Sequence, residues 1–80
     1  MEAHVYTWSA CRFCREAKEL LRHHGVPFTE QSLDGDRALL RTLQARFEYR
    51  GVPLVLLDGD FVGGLAELRR LAEAGELDAD

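Results

Sequence analysis

Two cysteines separated by two residues, Cys11 and Cys14, stand where the composition of the chain changes from strand-like to helical. They are the only cysteines among the 80 residues, so the chain can form one disulfide, which would close a very short loop. Closing so short a loop removes little entropy from the unfolded chain and therefore stabilises the fold very little. The fold must depend on a hydrophobic core, and the cysteine pair indicates chemistry rather than cross-linking.

The distribution of apolar residues predicts seven elements in the order β-α-β-α-β-β-α. β-Branched and aromatic residues predict a strand over residues 5–8, and a continuous apolar run predicts a buried strand over residues 54–57. Looser alternation predicts a strand over residues 26–33, and Asp58-Gly59 predicts a tight hairpin turn into a short strand at Phe61-Val62. Helical spacing predicts helices over residues 12–24, 37–49 and 65–74. The expected buried residues of these helices are Phe13, Ala17, Leu20 and Leu21; Leu39, Leu40, Leu43 and Phe47; and Leu65, Leu68 and Leu71.

This element order predicts a single α/β domain over residues 1–80, built on a four-stranded mixed sheet with helices on both faces. We expect the first βαβ unit to be parallel with a right-handed crossover and the final hairpin to be antiparallel. The acidic residues 76–80 are expected to fray as a terminus.

Composition and charge exclude several classes of protein. With 46% hydrophobic and 30% charged residues, the chain is too apolar to be disordered. A net charge of −4 argues against a nucleic-acid partner, because such proteins carry a basic surplus. No apolar run reaches the roughly 18 to 20 residues that span a bilayer, and the N-terminus lacks the features of a signal peptide. We therefore expect a cytoplasmic monomer without a membrane partner, in a compartment where a lasting structural disulfide is unusual.

The position of the cysteine pair predicts a nucleophile and a resolving thiol. Cys11 falls at the start of a predicted helix, where unpaired backbone N–H groups carry partial positive charge. That field, with Arg12 and Arg15 nearby, favours thiolate over thiol at Cys11. Because the thiolate is the attacking species in disulfide exchange, we expect Cys11 to attack first. Cys14, one turn further into the helix, is expected to be more buried and to resolve the mixed disulfide.

Other uses of a C-x-x-C pair fit this chain less well. A zinc site needs four ligands, and the remaining candidates are His4, His23 and His24. Neighbouring His23 and His24 point about 100° apart on a helix and cannot both reach the cysteines, so we expect no metal. Covalent haem attachment needs a histidine directly after the second cysteine, where Arg15 stands. Two inert buried cysteines would have apolar neighbours, whereas polar residues flank Cys11.

Three sequence blocks accompany the predicted elements: Val5-Tyr6-Thr7 before Cys11-Arg12-Phe13-Cys14, Gly51-Val52-Pro53 before the third strand, and Phe61-Val62-Gly63-Gly64 before the last helix. In this combination and spacing the chain resembles the small bacterial glutaredoxins over nearly its whole length. The resemblance implies a thioredoxin-like fold and a thiol–disulfide oxidoreductase that reduces protein disulfides or glutathione mixed disulfides. It also implies glutathione, or another low-molecular-weight thiol, as reducing co-substrate and no bound cofactor. Proteins with disulfides are the implied partners.

The resemblance further implies a substrate-binding set around the catalytic residues Cys11 and Cys14. Pro53 is expected to be cis and to turn the backbone of Val52 toward Cys11, where a peptide-like substrate pairs as an extra strand. The simpler alternative is a trans proline that begins a strand. The full implied set is Arg12, Phe13, Val52, Pro53, Gly63, Gly64, Leu65 and Ala66.

The start of the last helix is the implied anchor for glutathione. Gly63 and Gly64 permit close backbone approach, and the N–H groups of Leu65 and Ala66 are expected to hold the γ-glutamyl carboxylate. A plain turn between hairpin and helix is the alternative. The candidates for the other glutathione carboxylate are Arg37, Arg46 and Arg50.

The chain departs from the common glutaredoxin pattern at several of these positions. Arg12 and Phe13 replace the usual proline and tyrosine, which is expected to change the redox potential. Gly51 stands where threonine is usual, next to the substrate groove. Ala66 stands where the family often has an acidic residue that contacts the glutathione amine, which is expected to change the affinity for glutathione.

Two other functions stay open. One is a redoxin recharged by thioredoxin reductase, like the electron donors of ribonucleotide reductase, although those proteins usually carry a Ser-Gly-Phe-Arg-Pro-type segment where this chain has Val62-Gly63-Gly64-Leu65-Ala66. The other is a dimeric iron–sulfur cluster carrier that uses one Cys11 thiolate per subunit and two glutathione thiols. The absence of proline at Arg12 favours such a carrier, and the presence of Cys14 instead of serine argues against it.

Overall fold

The observed elements follow the predicted order. The computed structural model describes residues 1–77; residues 78–80, part of the acidic end predicted to fray, lie outside the described residues. Among the described residues, none of the three helices has the length and apolar character needed to cross a membrane. The elements are β1 (Ala3–Thr7), α1 (Arg12–His23), β2 (Phe28–Ser32), α2 (Arg37–Phe47), β3 (Leu54–Leu57), β4 (Asp60–Gly63) and α3 (Leu65–Glu73).

The four strands form one mixed sheet in the order β2-β1-β3-β4. Strand β1 pairs parallel to β2, and β3 pairs antiparallel to β4, as the sequence predicted; β1 also pairs antiparallel to β3. At the hairpin between β3 and β4, Asp58 and Gly59 have φ angles of 50° and 88°. Positive φ at both central residues is what a tight primed turn requires, so the hairpin prediction is confirmed.

The sheet separates two hydrophobic clusters, because successive side chains of a strand point to opposite faces. Val55 packs in the cluster that contains α1 and α3, whereas its neighbour Leu54 packs in the cluster that contains α2. Helices therefore cover both faces of the sheet, as predicted. The first cluster includes Ala3, Val5, Ala17, Leu21, Val26, Val55, Leu57, Leu65, Leu68 and Leu77, and the second includes Leu33, Leu43 and Leu54.

The prediction that Phe13 faces the core is wrong, because its side chain is 57% exposed. The buried residues of α1 are Cys14, Ala17 and Leu21, which lie one above the other at helical spacing. Adjacent residues of a helix point about 100° apart, so when Cys14 faces the core, Phe13 points away from the core to the side of α1. An aromatic residue at the helix start is thus left on the surface beside the cysteines.

Many strand and helix ends differ from the prediction by one or two residues. The differences at the end of α2 and in the C-terminal segment have a structural cause. Helix α2 ends at Phe47 instead of residue 49, because Glu48 adopts a left-handed conformation with φ of 51°. Within the segment predicted to fray, Leu77 is fully buried in the first cluster, so the fraying prediction is wrong for that residue. The backbone N–H of Glu76 donates to the carbonyl of Leu71 at 2.8 Å, which turns the chain back over the core.

Candidate functional site

Cys11 is the N-cap residue of α1, so its side chain lies at the end of the helix where backbone N–H groups are unpaired. The backbone N–H of Cys14 donates to the Cys11 sulfur at 3.0 Å. A turn closed by the N–H of Cys11 and the carbonyl of Trp8, at 3.1 Å, leads into this position. The carboxylate of Asp34 accepts from the backbone N–H of Ser9 at 3.0 Å and ties the turn to the body of the protein.

Cys14 lies behind Cys11 with only 2% of its surface exposed. Burial raises the pKa of the Cys14 thiol to about 12, and its interaction with Cys11 acts in the same direction. Both cysteines are free thiols, and Cys11 is half-buried. The structure therefore brings together one accessible sulfur with a hydrogen-bond donor and one sealed sulfur that is protonated at neutral pH.

The peptide bond between Val52 and Pro53 is cis, as the family resemblance implied. The carbonyl of Val52 lies 3.8 Å from the sulfur of Cys11, which donates toward it. The Val52 backbone thus borders the reactive sulfur, and Pro53 is buried beneath it.

Two grooves meet at Val52. The first, here the thiol groove, has a volume of about 420 Å³ and exposes the Cys11 sulfur between Trp8, Ala10 and Val52. The second, here the α3 groove, has a volume of about 250 Å³ and runs from α1 to the start of α3. Its lining residues are Phe13, Tyr49, Val52, Pro53, Leu65, Ala66 and Arg69.

The start of α3 is held by a carboxylate. Glu67 accepts a 2.7 Å hydrogen bond from the backbone N–H of Gly64 and a 3.1 Å hydrogen bond from the hydroxyl of Tyr49. The Gly64 N–H is the main cause of the lowered pKa of Glu67, and burial is the main cause of the raised pKa of Tyr49. A Cβ atom on Gly64 would collide with the Tyr49 hydroxyl and lie 3.2 Å from the Pro53 carbonyl oxygen, so these two groups approach the Gly64 backbone more closely than a side chain there would allow.

The predicted binding residues divide into three groups. Phe13, Val52, Pro53, Leu65 and Ala66 line the grooves, whereas Gly63 and Gly64 shape the turn that precedes α3. The side chain of Arg12 is 84% exposed, lines neither groove, and lies 3.8 Å from Glu16. The arginines proposed for the second glutathione carboxylate, Arg37, Arg46 and Arg50, do not line either groove.

Sequence reasoning missed four groove residues, Trp8, Ala10, Tyr49 and Arg69. Helical spacing gave a usable signal for Arg69, which lies three and four positions after Ala66 and Leu65 on the same face of α3. Tyr49 follows α2 and reaches the groove only through tertiary packing, so no local pattern points to it. Within residues 1–77, no group of three or more histidine, cysteine or acidic side chains is arranged to hold a metal ion.

Comparison with known proteins agrees with this geometry. The family model Glutaredoxin matches residues 4–62. A probable glutaredoxin of Synechocystis sp. is 39% identical over 75 residues, which cover 92% of this chain and 85% of that protein. Wheat glutaredoxin has a TM-score of 0.88 at 28% identity over 94% of this chain and 74% of its own. The buckwheat glutaredoxin–glutathione complex has a TM-score of 0.88 at 24% identity, over 94% of this chain and 71% of its own. The chain belongs to the glutaredoxins, thiol–disulfide oxidoreductases of the thioredoxin-like fold.

Proposed function

We propose that this glutaredoxin reduces protein disulfides and glutathione mixed disulfides through Cys11 and Cys14, with glutathione as the reducing co-substrate. The observation that carries the proposal is the 3.0 Å hydrogen bond from the Cys14 N–H to the Cys11 sulfur at the start of α1. A donor aimed at the sulfur, added to the field of the helix end, stabilises negative charge there. The thiolate is the nucleophile in disulfide exchange, so this geometry prepares Cys11 for attack.

The reaction proceeds in two displacements. The Cys11 thiolate attacks one sulfur of the substrate disulfide, the bond between the substrate sulfurs breaks, and the departing thiolate takes a proton from water. Cys14 then loses its proton and attacks the Cys11 sulfur, which releases the second substrate thiol and leaves a disulfide between Cys11 and Cys14. The cysteine pair has transferred two electrons; of the two protons that the substrate thiols gain, one comes from water and the other replaces the proton that Cys14 released. One glutathione then forms a mixed disulfide with Cys11, and a second releases oxidised glutathione and restores the dithiol.

The difference in exposure between the two sulfurs supports this order of attack. Cys11 opens into the thiol groove, whereas Cys14 is 2% exposed and cannot be reached by a bulky disulfide. Because the pKa of Cys14 is raised to about 12, its sulfur carries little thiolate until it loses its proton in the second step. Cys14 therefore acts only on a sulfur already bonded to Cys11.

The α3 groove supports glutathione as the co-substrate. The first turn of α3 leaves the N–H groups of Leu65 and Ala66 without partners inside the helix, which suits a carboxylate. Gly64 allows Tyr49, which lines this groove, to approach the start of α3, because a side chain at Gly64 would collide with the Tyr49 hydroxyl. Buckwheat glutaredoxin forms a complex with glutathione, so a backbone of this fold accommodates the tripeptide.

A coupled assay with two reductants tests the proposal. A mixed disulfide of glutathione and a cysteine peptide is supplied with glutathione, glutathione reductase and NADPH in one arm. The other arm contains thioredoxin reductase and NADPH without glutathione. We expect NADPH oxidation that depends on Cys11 in the first arm alone, with the Cys11→Ser variant as control. Turnover only in the second arm would identify a redoxin of the thioredoxin-reductase type, and turnover in neither arm would refute the proposed function.

A further inference from the structure

Arg69 is the one formally charged side chain that lines the α3 groove among residues 1–77. It extends from α3 to Glu16 of α1, and its side chain is 57% exposed. The whole chain carries a net charge of −4, so this cation has the opposite sign to the molecule around it. The charge that a bound substrate meets in this groove is therefore that of Arg69, and it differs in sign from the net charge of the chain.

The α3 groove offers no acidic side chain to balance Arg69 or to receive a substrate ammonium group. The acidic residue of the first turn, Glu67, points its carboxylate at the Gly64 N–H and the Tyr49 hydroxyl, at 2.7 and 3.1 Å. Both hydrogen bonds end on the same oxygen, Oε1, and Glu67 is not among the residues that line the groove. The neighbouring Ala66, which does line the groove, contributes only a methyl group.

Arg69 has an ion-pair partner outside the groove, and that partner is shared. One amino group of Arg69 lies 3.2 Å from Glu16, whose other oxygen lies 3.8 Å from Arg12. Two guanidinium groups thus face one carboxylate, which leaves a surplus positive charge. Exposed ion pairs of this kind are weak, and a guanidinium has five N–H donors, so a substrate carboxylate can join or replace Glu16.

We propose that Arg69 is a specificity residue that selects disulfides bearing a carboxylate close to the attacked sulfur. The inference rests on the proposed function, because it names the chemistry of the disulfide that Cys11 attacks. A planar guanidinium pairs with a carboxylate through two parallel hydrogen bonds and repels an ammonium group. The carboxylate belongs either to a small thiol in a mixed disulfide or to the peptide that carries the cysteine.

Two series of mixed disulfides distinguish these sources. In the first series, one neutral cysteine peptide is joined to 3-mercaptopropionate or to cysteamine, which differ in carrying a carboxylate or an ammonium group. In the second series, 2-mercaptoethanol is joined to peptides with Glu or Lys beside the cysteine. Each kcat/KM is divided by the rate of the same disulfide with dithiothreitol, which removes differences in intrinsic reactivity.

The wild-type protein is expected to prefer the carboxylate over the ammonium substrate by about tenfold in at least one series. Arg69→Gln is expected to abolish most of that preference, whereas the matched control Arg70→Gln, which removes the same charge outside the groove, retains it. Each preference is a ratio within one variant, so partial unfolding does not alter it. Equal rates for both charges in the wild type, or the same loss in both variants, would overturn the inference. Turnover of neither substrate would refute the proposed function and the inference with it.

Discussion

The backbone N–H of Cys14 donates a 3.0 Å hydrogen bond to the sulfur of Cys11, so one turn of helix connects the two cysteines and separates their chemistry. The N-cap position gives Cys11 a donor and an open groove. The same turn directs Cys14 into the core, where burial raises its pKa to about 12. A single helical turn thus gives Cys11 the access and the hydrogen-bond donor that the proposed nucleophile needs, and keeps Cys14 buried and protonated.

Replacing each cysteine separately tests this division of roles. Cys11→Ser is expected to abolish reduction of both mixed and intramolecular disulfides, because no accessible nucleophile is left. Cys14→Ser is expected to retain activity on glutathione mixed disulfides and to lose activity on intramolecular disulfides, which need the second displacement. Steady-state assays with both kinds of substrate measure this. Equal activity of the two variants on both substrates would contradict the assignment.

Alkylation tests directly whether burial makes the Cys14 thiol unreactive. A thiol whose pKa is raised to about 12 is about one part in ten thousand ionised at pH 8, and thiolate is the form that reacts. Limiting iodoacetamide is therefore expected to label Cys11 and to leave Cys14 unmodified. Trypsin cleaves after Arg12, so peptide mass mapping separates the two sites. The protein unfolded in urea, where both thiols should react, is the control, and comparable labelling in the folded protein would disprove the protection.

Phe13 and Leu21 lie on the same helix and are expected to respond oppositely to truncation. Phe13→Ala should change the free energy of unfolding by no more than about 0.5 kcal/mol, because its side chain is 57% exposed. Leu21→Ala should cost about 2 to 5 kcal/mol, because Leu21 is fully buried. Urea unfolding measures both values. Phe13→Ala should still lower disulfide reductase activity, because the ring lines the α3 groove. A large loss of stability in Phe13→Ala would show that the Phe13 side chain is buried in the core.

The element order and the mixed sheet were predictable because the spacing of apolar residues along the chain reflects which side of each helix or strand faces the core. The exposure of Phe13 was not predictable, because an apolar residue at the start of a helix gives the same sequence pattern whether it faces the core or a groove. The burial of Leu77 was missed for a related reason: the acidic residues around it indicate an exposed terminus, although Leu77 itself packs in the core. Arg69 and Tyr49 enter the site through the packing of separate elements around the sheet, which sequence spacing does not specify.

Gly64 and Tyr49 are expected to show energetic coupling. Gly64→Ala should destabilise the protein by about 1 to 3 kcal/mol, because the added methyl group collides with the Tyr49 hydroxyl. Tyr49→Phe removes that hydroxyl, so the double variant should be less destabilised than the sum of the single variants. Two contacts remain, 3.1 Å to the ring carbon Cζ of residue 49 and 3.2 Å to the Pro53 carbonyl oxygen, and they keep the rescue incomplete. A double-mutant cycle from urea unfolding measures the coupling, and strictly additive losses would show that the two groups do not meet.

Glu67 is expected to stabilise the protein in a way that depends on pH. The Gly64 N–H favours the ionised carboxylate, so the pKa of Glu67 is lower in the folded protein than its ordinary value of 4.5. Between these two values the unfolded chain binds more protons than the folded protein, so stability rises with pH in that range. The contribution of Glu67 is therefore complete above pH 4.5 and is lost as the pH falls through the folded pKa.

The Glu67→Gln variant isolates this contribution, because the amide oxygen can still accept the hydrogen bond without carrying charge. The wild-type protein should exceed the variant in free energy of unfolding by about 1 kcal/mol at pH 7, and this difference should shrink toward pH 3. Glu73→Gln is the matched control, since it removes the same charge from the other end of α3, where a carboxylate meets the negative end of the helix dipole. Urea unfolding of all three proteins between pH 3 and 7 measures the difference. A gap between the wild type and Glu67→Gln that is the same at every pH would mean that the charge on Glu67 does not contribute to holding the start of α3.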